Sequence, residues 1–277
     1  MPSALNNSVA TAMLTDVGRV RNNNEDAITI DPELGLLLLS DGMGGYQAGE
    51  VASAIANETV LNVVRGESRG IRTAEEDRNQ ANWPQTVLLE KAVTQAHKAI
   101  HEAAASRPEC AGMGTTIVAV WLHQNRMSIA HVGDSRLYRF RIGELTQITR
   151  DHSLVEEMIA RGEYSRQDAQ HMVRKNIVTR ALGAEGEVRV ELNDRSLEIG
   201  DLLLMCSDGL SDLVTDENIR VTLRQYHDDL EAGAQQLIQQ ALRAGGKDNV
   251  SVILARIDQS FSAPKSLPAR LLSWLKG

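Results

Sequence analysis

Six apolar runs of strand length punctuate this chain, at Val9–Leu14, Leu36–Leu39, Thr116–Trp121, Met127–Val132, Leu202–Cys206 and Val250–Ile257. Each stops at turn residues, so each is read as a buried strand. Between them lie alanine-rich segments of helical period, Ala48–Val64, Thr86–Ala105 and Leu230–Ala244. Strands cluster and helices come in long separate pieces, which argues against regular βαβ winding and predicts an α+β fold of sheet and helix layers. The polar stretch 66–82 is the longest surface loop in this reading. No low-complexity linker interrupts the chain, so one domain is expected over residues 1–258. Residues 259–277 change character, with two prolines, no acidic residue and an apolar cluster at Leu271, Leu272, Trp274 and Leu275, and read as an appended tail.

The turns that end these runs carry the chemistry. Asp41 closes LLLLSDG, Asp134 closes IAHVGDS, Asp208 closes LLLMCSDG, Asp248 opens the KDNVSVILA strand, and Asp26 stands just before AITI. One Asp-Gly or Asp-Ser pair is an ordinary turn. Repetition changes that reading, because a sandwich that gathers strand ends concentrates negative charge, and like charges at close range disfavour one another unless protons or cations intervene. Carboxylates, carbonyls and water suit hard cations such as Mg²⁺ and Mn²⁺, whereas zinc favours the His and Cys that these motifs lack. Glycine in the DG pair fits the same reading, since without a side chain the Gly42 carbonyl can turn toward an ion.

Other chemistries find less support. A formal net charge of −8 repels a phosphate backbone, so nucleic acid is not an expected partner. No apolar run is long enough to span a bilayer, and the first residues lack the pattern of a secretory signal, so a cytoplasmic location is expected. Two cysteines, Cys110 and Cys206, are too few for a disulfide framework or a thiolate zinc site. Neither is followed at the required spacing by the arginine of a cysteine phosphatase: those places hold Thr116 and Asp212. Lys247 precedes Asp248 rather than Ser or Thr, which removes a P-loop. His97 and His101 are one helical turn apart, and without a glutamate between them they read as helix-surface residues.

Taken in order, Thr15-Asp16-x-Gly18-x-x-Arg21-x-x-Asn24-Glu25-Asp26, Asp41-Gly42-Met43-Gly44-Gly45, Gly114-Thr115-Thr116, Gly133-Asp134-Ser135-Arg136, Ser207-Asp208-Gly209 and Asp248-Asn249 resemble the metal-dependent PP2C (PPM) serine/threonine phosphatases. The match runs from about Val9 to Ile257, and the DGMGG form resembles the bacterial branch. The resemblance implies a central antiparallel β-sandwich flanked by helix layers, α-β-β-α, with two Mn²⁺ or Mg²⁺ ions at one end and a place for a third. By the same resemblance Asp41 bridges both ions, Asp208 and Asp248 hold the first with the Gly42 carbonyl, and Asp26 supports the second largely through water. Asp134 with Asp208 is the matching position for the third ion. Arg21 grips the substrate phosphate, a task that suits the paired donors of a guanidinium. Thr115, Thr116 and Asn249 orient ligands, and Ser135 and Arg136 fix the turn that carries Asp134. Arg21, Asp41 and Asp208 are thus the expected catalytic residues.

The implied reaction is attack of a metal-bridging hydroxide on phosphoserine or phosphothreonine of a protein, without a covalent intermediate, by a monomer that opposes a Ser/Thr kinase. Met43 stands where many relatives carry a histidine, and a thioether has no proton to donate, so no general acid is assigned. Residues 152–174 correspond to a variable flap. Two alternatives share the sequence: a non-catalytic phosphoprotein-binding or regulatory member of the same fold, which intact Asp26, Asp41, Asp208 and Asp248 argue against, and a metal-dependent hydrolase of small phosphate esters.

Overall fold

The computed structural model describes residues 8–44, 48–71, 83–163, 165, 177–184 and 186–261. Their strands are β1 (Val9–Asp16), β2 (Asp26–Asp31), β3 (Leu36–Met43), β4 (Gly114–Thr115), β5 (Ile117–His123), β6 (Arg126–Val132), β7 (Arg136–Arg141), β8 (Glu144–Gln147), β9 (Glu191–Ser196), β10 (Leu202–Cys206) and β11 (Val250–Ile257). The helices are α1 (Ala48–Glu67), α2 (Pro84–Ser106), α3 (Leu154–Ala160), α4 (Asp208–Ser211), α5 (Asp216–Gln225) and α6 (Leu230–Arg243). One sheet has the order β1-β11-β10-β7-β8 and the other β2-β3-β5-β6-β9, with β4 paired to β3. Every pairing is antiparallel.

Period-two geometry sends the two faces of each central strand into different cores. On β3, Leu36 and Leu38 pack with Val60, Leu89 and Val93 of α1 and α2, while Leu37 and Leu39 join a core shared with the other sheet. On β10, Leu203 and Met205 enter that shared core, and Leu202 and Leu204 pack on Leu237 and Ile238 of α6. The layers therefore run α-β-β-α, as expected from the sequence. Burial on both faces also explains why these strands read as continuous apolar runs rather than as alternating ones.

The elements absent from the sequence reading carry a weaker apolar signal. In β7 the arginines Arg136, Arg139 and Arg141 interrupt Leu137, Tyr138 and Phe140, and β8 and β9 are outer strands with few buried side chains. Helix α5 buries only Ile219, Thr222 and Leu223, and its start is set by Thr215, whose side chain accepts from the Asn218 amide at 3.3 Å. Packing continues past residue 258: Phe261 is buried in the inter-sheet core, and its amide donates to Asn125 Oδ1 at 2.7 Å. Residues 262–277 of the expected tail, residues 72–82 of the expected loop, and residues 164 and 166–174 of the expected flap lie outside the described residues. The start of the flap is α3, capped by Ser153. Among the described residues no helix is long and apolar enough to cross a membrane.

Candidate metal centre

Strands of both sheets deliver acidic residues to one end of the sandwich. Asp26 and Asp41 are direct register partners on β2 and β3. Asp134 follows β6 at the point where the chain leaves one sheet for β7 in the other, Asp208 follows β10, and Asp248 precedes β11. They are close enough to act on one another electrostatically. Burial, then Asp26, Asp208, Asp134 and Asp248, hold the Asp41 carboxyl well above the ordinary carboxylate range. Asp208 is held up in the same way by burial, then Asp134, Asp212, Asp248 and Asp26. Burial pushes Asp134 up to about 6, with the charges of Asp151 and Asp212 adding to it.

The backbone around the cluster leaves little freedom. A Cβ on Gly42 would stand 2.1 Å from the Gly49 carbonyl oxygen and 2.6 Å from that of Glu25, so only glycine lets β3 pass between the Asp26 loop and the start of α1. Thr116 holds Asp41 in place, its Oγ1 accepting from the Asp41 amide at 3.0 Å and its amide donating to the Asp41 carbonyl at 2.8 Å. Thr115 Oγ1 donates to the same carbonyl at 2.8 Å. Asn249 organises the loop before β2: its Oδ1 accepts from the Glu25 amide at 2.8 Å, and its Nδ2 donates to the Val17 and Asn23 carbonyls at 2.9 Å each. Ser207, beside Asp208, donates from Oγ to Asp26 Oδ2 at 2.9 Å and so links the two sheets.

The residues fit a hard divalent cation. The second oxygen of Asp26, Oδ1, is buried and has no hydrogen-bond partner. Burial pushes this carboxyl up to about 6 against the hydrogen bonds of Ser251 and Ser207, and the charges of Asp248 and Glu25 raise it further. A buried, unpaired carboxylate oxygen in the field of other carboxylates is an expensive arrangement unless a cation or proton offsets it. The donors are all oxygen, the set that Mg²⁺ and Mn²⁺ accept.

Arg21 lies at the edge of the cluster, half-exposed, with Nη2 donating to Asp248 Oδ2 at 2.8 Å. Its guanidinium is held further toward the charged form by that bond, and by Glu25 and Asp208. Arg21, Asp26, Asp41, Gly42, Asp134, Asp208 and Asp248 thus stand on strand ends and turns at the same end of the sandwich. Sequence reasoning misses Glu25 as a member: its carboxylate lies against Gly49 in the first turn of α1, and burial raises its pKa. The available signal is the acid that precedes Asp26 in the NNNED run. The Arg136 guanidinium does not reach Asp134 directly but anchors the end of its turn to Asp151, at 3.0, 3.0 and 2.7 Å, and to the Tyr138 hydroxyl at 2.9 Å; Ser135 meets Thr116 Oγ1 at 2.7 Å. His97 is not a helix-surface residue: it is buried, with Nε2 at 3.0 Å from the Gly186 carbonyl and Nδ1 accepting from the Gly183 amide at 3.1 Å. Gly45 of the DGMGG motif lies outside the described residues.

A family model described as Protein phosphatase 2C matches residues 19–244. A serine/threonine phosphatase, stp, of Listeria monocytogenes is 38% identical over 247 residues, covering 88% of this chain and 94% of that protein. The serine/threonine protein phosphatase PstP of Mycobacterium tuberculosis is 38% identical over 246 residues, 89% of this chain but 44% of that longer protein. Among solved structures, the crystal structure of M. tuberculosis PstP/Ppp superposes with a TM-score of 0.80 at 36% identity, covering 91% of this chain and all of that one. The PstP catalytic domain in complex with two manganese ions gives a TM-score of 0.77 at 36% identity, over 91% of this chain and 99% of that one.

Proposed function

The chain belongs to the protein phosphatase 2C family, and from that membership we infer that it is a metal-dependent protein phosphatase that hydrolyses phosphoserine and phosphothreonine. The observation that supports this reading is the set of Asp26, Asp41, Asp134, Asp208 and Asp248 at one end of the sandwich, close enough to raise the Asp41 and Asp208 carboxyls by their charge, together with the unpartnered Oδ1 of Asp26. Asp41, Asp208 and Asp248, with the Gly42 carbonyl, Asp26 and Asp134, are the groups that would hold Mn²⁺ or Mg²⁺. A pair of such ions supplies, when bound, a water that ionises near neutral pH and positive charge to offset that of a phosphoryl group in transfer.

The chain's own residues do the rest. Arg21 presents its remaining guanidinium donors to the phosphate oxygens, while its bond to Asp248 fixes where the fork points. Thr115 and Thr116 hold the Asp41 backbone so that its carboxylate does not swing away as charge is redistributed. Met43 has no proton to give, so the leaving alkoxide takes its proton from solvent or from an acid other than this residue. Phosphorylated proteins are the substrates in this reading. A cognate Ser/Thr kinase, a monomeric chain and a cytoplasmic setting belong to the same proposal, the first because phosphoserine and phosphothreonine must be made by a kinase before they can be hydrolysed.

Hydrolysis of a phosphothreonine peptide after chelation, with Mn²⁺ added back and the Asp208→Asn protein alongside, tests the reading. Activity that disappears with EDTA, returns with Mn²⁺ and is absent from the variant is expected. Bound metal without turnover would point to a phosphoprotein-binding role, and far faster turnover of small phosphate esters than of phosphopeptides would overturn the substrate class.

A further inference from the structure

Away from the aspartates, His131, His152 and Glu191 bring three ligand-type atoms within 4.8 Å of one another. His131 on β6 and Glu191 on β9 are register partners, and the two imidazoles stack at 4.6 Å between centroids with 29° between planes. The donor set is that of a zinc site, but the hydrogen bonds at His152 argue otherwise. Its Nδ1 accepts from the Gly133 amide at 3.1 Å, so the proton sits on Nε2, which donates to Glu191 Oε2 at 3.1 Å. An ion on Nε2 would need that lone pair and would push the proton onto Nδ1, against the Gly133 N–H. His131 is fully buried and neutral because burial drives its pKa down to about 3. Neither of its ring nitrogens has a hydrogen-bond partner of normal length, and the ring serves as the face on which His152 stacks.

What His152 does hold is the peptide before Asp134. It makes two bonds to Gly133, the ring bond just described and its own amide donating to the Gly133 carbonyl at 2.8 Å. Gly133 sits at φ +111°, where a Cβ would stand 2.5 Å from Thr116, so the turn has a single tight seating between Thr116 and His152. The preceding residue, Asp151, is gripped by Arg136, so residues 151 and 152 bracket both ends of the Gly133–Arg136 turn. On the other side, the His152 carbonyl accepts from the Thr179 amide at 2.8 Å, and the Leu154 amide donates to the Ile177 carbonyl at 2.9 Å, closing the base of the segment that begins with α3.

We propose that His152, oriented by Glu191 and stacked on His131, is a positioning residue that fixes the Asp134 carboxylate for an ion and ties that position to the base of the 152–179 segment. The proposal rests on the reading of Asp134 as a metal ligand. Removing a group that orients a ligand typically weakens metal binding about 10–100-fold. Calorimetric titration of metal-free protein with Mn²⁺ is the test, comparing wild type with Asp134→Asn, His152→Ala, His152→Asn and Glu191→Ala, each checked for folding by circular dichroism.

If the proposal holds, Asp134→Asn loses the weakest class of Mn²⁺ site, His152→Ala weakens the same class about tenfold or more, and the tighter sites are unchanged. His152→Asn, whose Oδ1 can take the place of Nδ1 as acceptor for the Gly133 amide, should recover most of that loss. Should His152→Ala fail to fold, Glu191→Ala carries the test, because Glu191 is partly exposed and its loss frees the ring without emptying the core; it should weaken the same class several-fold. A folded His152→Ala or Glu191→Ala with wild-type isotherms, beside an Asp134→Asn that has lost a site, would overturn the positioning role. An Asp134→Asn with all its sites would instead remove the underlying ligand assignment. One equivalent of Zn²⁺ bound by wild type and lost in His131→Ala would make the cluster a metal site and also overturn the proposal.

Discussion

In metal-free protein, Asp134→Asn should stabilise the fold. Asp134 is 8% exposed, and burial with the charges of Asp151 and Asp212 moves its carboxyl from 3.8 up to about 6. Between those values the unfolded chain has released the proton and the folded chain still holds it, so stability falls as pH rises through this window and the loss is complete above about 6. At about 1.4 kcal/mol per pH unit the loss is about 3 kcal/mol. Asparagine keeps the size and removes the charge, and if its amide leaves about 1 kcal/mol of hydrogen bonding unmade, the net gain is about 2 kcal/mol. For a chain of this length that is a rise in Tm of about 3–4 °C. Urea and thermal unfolding in EDTA near neutral pH read this directly, and the gain should vanish below about pH 4, where both states of the wild type are protonated. Adding Mn²⁺ should reverse the order, because the wild type then gains binding energy that the variant cannot. A metal-free variant no more stable than wild type near neutrality, or a gain that persists at low pH, would refute the reasoning.

Asn249→Ala removes three hydrogen bonds to the loop between β1 and β2, a loss of about 2–4 kcal/mol in urea unfolding. Because that loop carries Arg21 and leads into Asp26, Mn²⁺ affinity should fall with it; a variant that loses less than about 0.5 kcal/mol would contradict the tethering role. Arg21→Ala should raise KM for a phosphopeptide about 10–100-fold with Mn²⁺ affinity little changed, and Arg21→Lys should recover only part because it lacks the fork. Unchanged KM in the Ala variant would assign Arg21 to its bond with Asp248 alone.

The central strands are legible because they are buried on both faces: Leu202–Cys206 and Val250–Ile257 have the same bounds in sequence and structure. Strand β9, reading ELNDRS, is not, since its pairing with β6 and not its own hydrophobicity holds it in the sheet. At the site, the aspartates announce themselves by standing at strand ends. Glu25 does not, because its place depends on how α1 approaches the Asp26 loop. His97 misleads because helical spacing gives a residue's face but not what covers it, and here the segment around Gly183 and Gly186 folds over the ring. His152 carries no signal beyond the polar stretch that contains it, since its partner Gly133 is separated from it by a strand pair, β7 and β8.

Neither sheet owns a full set of carboxylates: Asp26 and Asp41 belong to one, Asp208 and Asp248 are carried by the other, and Asp134 rides on the crossing between them. The cluster is thus a caliper for the alignment of the two halves of the sandwich. A slip of one sheet against the other by a single residue along its strands, about 3.3 Å, would scatter the oxygen atoms. If these carboxylates hold the ions as proposed, a chain so displaced would lose affinity for them, and metal affinity would report on the alignment of the whole domain.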